Sequence, residues 1–196
     1  LEFDSSVKGA HTIPSKSKQL AGVNIEILDV TNSGPGQAPI VLYSLKNDDD
    51  SPIDIADMDR VRFQMSGPTD DYSFHVTENA IDASVSLGDG EYTYNFETVI
   101  PEDEEGSFAI GAEARREMVW NPGTTNEFED EEQARNTPVF YFPVTDAEAV
   151  PRRMIVSDEK CEECHDDLAL HGENRRNATV YCQMCHYPEA DDHEVR

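Results

Sequence analysis

All four cysteines of the 196-residue chain fall in two copies of one short pattern, Cys161-Glu162-Glu163-Cys164-His165 and Cys182-Gln183-Met184-Cys185-His186. Cys-x-x-Cys-His is the pattern of c-type haem attachment. Two thiols three residues apart can each add to one vinyl group of the same porphyrin. The histidine that follows is then held beneath the ring as the proximal iron ligand. The sequence therefore predicts two covalent haems c, one on Cys161 and Cys164 and one on Cys182 and Cys185, with His165 and His186 as proximal ligands. Two other chemistries compete. Cysteine pairs at this separation also suit a four-thiolate zinc ribbon, and an exported chain can bridge them as disulfides. Neither needs a histidine directly after each pair.

An electron-transfer haem usually takes a second strong ligand. His11, His75, His171 and His193 remain for that role. His171 follows His165 too closely to cross to the far face of the same haem, but it can reach the haem on Cys182 and Cys185, and is the expected distal ligand there. The first haem is harder to complete. His193 is nearest in sequence but sits in the acidic tail Asp191-Asp192-His193-Glu194. His75 lies in a strand-like run and His11 near the N-terminus, and a neighbouring subunit or water is also open for that position. Arg175, with Arg176 beside it, is a candidate haem-propionate partner, because guanidinium forks match carboxylates. Asn47-Asp48-Asp49-Asp50 with Asp54 lacks EF-hand spacing and reads as a solvated turn rather than a calcium loop. The five methionines read as packing residues. No catalytic acid–base constellation stands out.

These groups need a scaffold, and the chain divides into three stretches. Residues 1–21 are polar and without periodicity, a flexible lead-in. Residues 22–148 carry short runs of strand character: Val23–Ile27, Ile40–Leu45, Val61–Met65, Tyr72–Val76, Tyr92–Phe96, Phe108–Ala112 and Val139–Val144. Turn formers separate them, including Gly34-Pro35-Gly36, Gly67-Pro68, Gly88-Asp89-Gly90 and Asn121-Pro122-Gly123. The pattern predicts a mainly β protein with an antiparallel domain, an Ig-like sandwich or a small or split barrel. The acidic run Glu127–Glu132 reads as a solvated loop. Residues 149–196 hold both motifs and are too poor in aliphatic residues to build a core, so two porphyrin faces are expected to supply it, with little regular structure. Short helical turns are expected after each motif, the better one over Asp166–Leu170.

Forty-one acidic residues against fifteen basic ones give a net charge of −26. Nucleic acid and anionic membrane surfaces are repelled by such a chain, whereas metal ions, cationic partners and positively charged mineral surfaces are attracted. The same charge equally suits solubility or high salt. No run approaches the roughly twenty apolar residues of a membrane span. The chain begins at Leu1 without a charged-then-apolar leader, so an export signal is expected to have been removed or not included. Haem c is attached outside the bacterial cytoplasm, which predicts an exported protein at the cell surface, the outer-membrane exterior or in the periplasm.

Pro151-Arg152-Arg153-Met154-Ile155-Val156, then Cys161-x-x-Cys164-His165, Leu168, His171-Gly172-x-x-Arg175 and Cys182-x-x-Cys185-His186-x-Pro188 together resemble the extracellular multihaem cytochromes of the OmcA/MtrC type. Upstream, Asp48–Pro52, Gly67-Pro68-x-x-Asp71-Tyr72 and Gly88-Asp89-Gly90-x-Tyr92-x-Tyr94 are similar to the β-domain preceding the haem domain of that family. The resemblance runs from about Val23 to Arg196. It implies electron conduction through closely packed haems to extracellular acceptors such as ferric minerals, metal ions or partner cytochromes, and an axial role for His171. Family members carry many more attachment sites than two, so a fragment of a longer cytochrome is expected, with a natural dihaem relative as the alternative. Two other functions stay open: a haem enzyme with an open iron site, such as a peroxidase or nitrogen-oxide reductase, and a binding module in which the β-domain recognises a partner and the haem segment only docks.

Overall fold

The computed structural model describes residues 17, 19–164, 168–176 and 178–187. Nine strands come first: β1 Asn24–Thr31, β2 Ile40–Lys46, β3 Arg60–Gly67, β4 Phe74–Asn79, β5 Val85–Gly88, β6 Glu91–Asn95, β7 Ser107–Trp120, β8 Phe128–Gln133 and β9 Val139–Pro143. They form two antiparallel sheets, β1-β2-β6-β5 and β4-β3-β7-β8, with β9 also pairing β7. The sheets face each other as a sandwich, and the barrel alternative is not what forms.

Alternation explains the packing. Val41, Tyr43 and Leu45 of β2 and Tyr92 and Tyr94 of β6 point inward from one sheet. Val61, Phe63 and Met65 of β3 and Phe108, Ile110, Ala112 and Ala114 of β7 answer from the other. Tyr43 meets Phe63 edge-on at 5.0 Å, and Phe63 stacks on Tyr94 at 5.7 Å. The hydroxyls of the β6 tyrosines are satisfied, since Tyr92 donates to Ile53 O and Tyr94 to Glu78 Oε2. In β1 a register shift between Ile27 and Asp29 lets Ile27 and Val30 both face the core.

The acidic run at 127–132 is a correction to the loop expected from composition. Phe128–Gln133 is strand β8, paired with the far half of β7. Two of its charges are met by β7 cations: Arg115 pairs with Glu131 at 2.6 Å, and Arg116 with the buried Glu132 at 2.7 Å. Phe128 stacks on Trp120 at 5.9 Å with ring planes 5° apart. Composition saw the carboxylates and not the arginines facing them.

After β9 the chain returns along the outer face of the β3–β7 sheet. Helix α1 spans Asp158–Glu162, a two-strand hairpin joins β10 Ala169–Leu170 to β11 Arg175–Arg176, and helix α2 spans Thr179–Cys185. Both helices contain motif cysteines, and the stretch beyond Tyr187, where a turn is expected after the second motif, lies outside the described residues. Ala169 and Leu170 are extended, and residues 165–167 of the helical turn expected after the first motif lie outside the described residues.

Candidate functional site

Helix α2 carries the second motif and has two distinct sides. Cys182 and Cys185 are one turn apart on the same side, both half-buried, and His186 follows as the C-cap, its N–H donating to Cys182 O at 2.8 Å. Tyr181 and Met184 are fully buried in a cluster with Tyr72, Ala109 and Ala178. The seat is cut into β7. Its residues 107–114 are buried on both faces of the sheet, with Ala109, Gly111 and Glu113 turned toward α2. A Cβ on Gly111 would stand 2.3 Å from the Tyr181 ring, so glycine is what lets the helix close on the strand. From β3, Gln64 Nε2 donates to Met184 O at 3.1 Å, and the Cys185 thiol donates to Gln64 Oε1 at 3.1 Å. Burial and the nearby Asp158 raise the Cys182 thiol above its ordinary pKa.

His171 stands at the tip of the β10–β11 hairpin, and its ring centre is 6.0 Å from that of His186, with planes 34° apart. The turn is unusual: His171, Gly172 and Glu173 all have positive φ, of 55°, 67° and 67°. Such backbone is strained outside glycine and persists only where neighbours hold it. Asn174 Nδ2 donates to His171 O at 2.7 Å, and Arg60 Nη1 of β3 donates to Asn174 Oδ1 at 2.9 Å. Desolvation, then the adjacent Arg175 and His186, lower the His171 pKa below the usual histidine value.

Arg175 does not stand alone. Its Nε donates to Oε1 of the buried Glu113 at 2.8 Å, and the Tyr181 hydroxyl donates to the same oxygen at 2.8 Å. Arg60 and Arg62 approach Glu113 Oε2 at 4.0 and 3.9 Å. Burial works against the charge on Arg175, yet Glu113 outweighs it and raises its pKa. Burial and Glu113 also raise the Tyr181 hydroxyl, which stays a protonated donor. Arg176 pairs with Glu173, its backbone N–H donates to Thr137 Oγ1, and its carbonyl accepts from Thr137 N.

The first motif is more loosely placed. Cys161 is half-buried in α1 and Cys164 exposed. Thr179 N, at the start of α2, donates to Asp158 Oδ1 at 2.6 Å, and Thr179 Oγ1 to Val156 O at 3.0 Å. These bonds tie the two motif helices at their N-terminal ends. His165, His193 and His11 lie outside the described residues. His75 of β4 sits beside the second motif, its Nδ1 3.3 Å from the Tyr187 hydroxyl. No disulfide joins any two of the four cysteines. Among the described residues no three His, Cys, Asp or Glu side chains gather as a metal site, so the four sulfurs do not converge as a zinc ribbon demands.

Sequence reasoning missed Glu113, Gln64 and Gly111. For Gly111 the available signal was the unbroken run of small and apolar residues around it, which marks a strand covered on both faces.

No protein-family profile matches the chain, and no curated protein matches it. Among solved structures, the outer membrane decaheme cytochrome OmcA is similar in fold, with a TM-score of 0.55 at 14% identity. The likeness covers 90% of this chain and 31% of that one. The chain thus spans about a third of the length of the cytochrome it matches, and shares its fold over that third. Among the described residues no helix is long and apolar enough to cross a membrane.

Proposed function

We propose that this chain is a c-type cytochrome module for electron transfer, with one haem tethered at Cys161 and Cys164 and a second at Cys182 and Cys185. The observation that carries this reading is the His171–His186 pair beside a helix-borne Cys-x-x-Cys-His. Two imidazoles on opposite sides of one metal, each bonded at about 2 Å, have ring centres about 6 Å apart. These two stand at 6.0 Å.

The residues of the second site fit the group. Cys182 and Cys185 offer two thiols on one side of a helix that would tether the haem, with His186 as its would-be proximal ligand and His171 as the distal one. At the first site His165 would be the proximal ligand and His193 the candidate for the far side. Arg175, whose Nε holds Glu113, would offer its remaining guanidinium N–H groups to a propionate. A bound haem c supplies one-electron exchange at iron, and two strong axial ligands keep such an iron low-spin and closed to oxygen or peroxide. The likeness to an outer-membrane decaheme cytochrome supports an exported chain acting at the cell surface, the outer-membrane exterior or in the periplasm. Its partners would be further haem domains, other multihaem cytochromes, or metal ions and minerals, and the charge of −26 favours cationic acceptors.

Mass spectrometry of the denatured chain should find the mass of two haems added to the sequence mass. Replacing His171 with Ala should leave both attachments intact while one ferric haem turns high-spin and binds cyanide. No added mass, or one zinc, would overturn the reading. A parent chain whose irons bind carbon monoxide freely would favour the haem-enzyme alternative.

A further inference from the structure

We propose that Glu113 is a positioning residue for the second haem site, setting the separation of His171 and His186 from the middle of β7; this rests on the function proposed above. One carboxylate oxygen gathers both elements that carry the pair. Glu113 Oε1 accepts from Arg175 Nε and from the Tyr181 hydroxyl, each at 2.8 Å. Arg175 lies four residues after His171, on the return strand of its hairpin, and Tyr181 lies in the helix that ends at His186. The other oxygen faces Arg60 and Arg62. Arg60 in turn holds Asn174, whose amide bonds the His171 carbonyl. The left-handed turn at 171–173 is thereby tied to β3 and β7 as well as to its own segment, where Arg176 holds Glu173. Only 1% of the Glu113 side chain is exposed, so the charge is desolvated and its bonds hold firmly.

A carboxylate that only stabilised the fold would act like Glu132. That side chain is equally buried on the same sheet, and bonds Arg116 and Gly22 N. Partners that orient a metal ligand usually change its affinity by about 10–100-fold when removed.

The experiment compares the haem-loaded parent chain with Glu113→Gln, Tyr181→Phe and Glu132→Gln. The amide keeps the shape of Glu113 without the charge, and the phenyl ring keeps the Tyr181 packing without the hydroxyl. In Glu113→Gln two haems should remain attached, one ferric haem should gain a high-spin fraction, and its cyanide affinity should rise ~10-fold or more. The midpoint potential of that haem should rise as His171 ligation weakens and a negative charge is lost. Tyr181→Phe should move the same readouts in the same direction by less. Glu132→Gln should lower the unfolding temperature and leave spectrum, cyanide affinity and potential unchanged. If Glu113→Gln and Tyr181→Phe stay fully low-spin with parental cyanide affinity, or if Glu132→Gln moves them as far, Glu113 is not a positioning residue. A parent chain without two haems would instead defeat the function on which the proposal rests.

Discussion

The sandwich buries Tyr43, Phe63, Tyr94, Phe108 and Phe142 between its own two sheets, whereas the described part of the C-terminal segment buries Ala178, Tyr181 and Met184 against β7 and its neighbours. The segment also leaves Met154 and Ile155 largely exposed, and Val150, Val156 and Leu170 exposed as well. One region owns its core and the other borrows a face. The borrowed face explains why β7 breaks the rule of one wet side: Ala109, Gly111 and Glu113 are shaped for a helix that arrives about seventy residues later in the chain. It also separates the two motif copies, alike in sequence. The second is seated on the sheet through Tyr181, Met184 and Gln64, while the first reaches the rest of the molecule through Asp158 and Val156 near the start of α1.

The largest expected effect lies in the region that owns its core. Phe63 of β3 is fully buried and meets the rings of Tyr43 and Tyr94 in the facing sheet and of Phe96 just past β6. Phe63→Ala should destabilise the chain by about 3–5 kcal/mol in denaturant unfolding. Sandwich and segment should unfold together, because the described part of the segment buries its side chains against β7 and its neighbours. A segment that stayed ordered after the sandwich had melted would break the comparison.

Gly111→Ala should act the other way round. A methyl group at that position would meet the Tyr181 ring at 2.3 Å, and ring and strand are both held in place. Overpacking of this kind typically costs about 1–3 kcal/mol. The loss should fall on the docking of α2. Amide exchange should quicken across 179–186 and in the 169–176 hairpin, while β1, β2 and β6 keep their protection. If exchange quickened evenly over both sheets, the outer face of β7 would be part of the sandwich core rather than a seat.

The contrast between regions also decides what could be read from the sequence. The sandwich strands were legible because alternation is a local signal: Val23–Ile27 and Tyr92–Phe96 show it within five residues each. The cysteines and His186 were legible because their chemistry fixes their spacing. Strand β8 was not, since a run of carboxylates reads as solvated until Arg115 and Arg116 are placed opposite it. Strand β5 escaped notice because its residues are exposed and have no buried face to alternate with. Glu113 was invisible for a similar reason. Its partners lie 62 and 68 residues away, and a glutamate between two alanines carries no local mark of being buried. The seat for the second motif is a long-range product of the fold, and single-sequence patterns are blind to such products.

The smallest expected effect concerns the tie between the two motif helices. Ala178 has no side-chain oxygen to cap α2, so the N–H of Thr179, which has no partner within the helix, is met by Asp158 from α1, at 2.6 Å. The carboxylate also places negative charge at the positive end of a short helix. Replacing a capping oxygen with a methyl group costs roughly 1 kcal/mol. Asp158→Ala should lower stability by about that amount, and Asp158→Asn by less, because the amide oxygen still accepts. The sharper readout is local: exchange should quicken at 158–164 and at the first turn of α2 in the Ala variant. The His171–His186 contact should persist, because Glu113 and Asn174 hold it from the other side. If Asp158→Ala instead disturbed that pair as strongly as Gly111→Ala, the second motif would depend on the first, and the division between a seated and a tethered copy would fail.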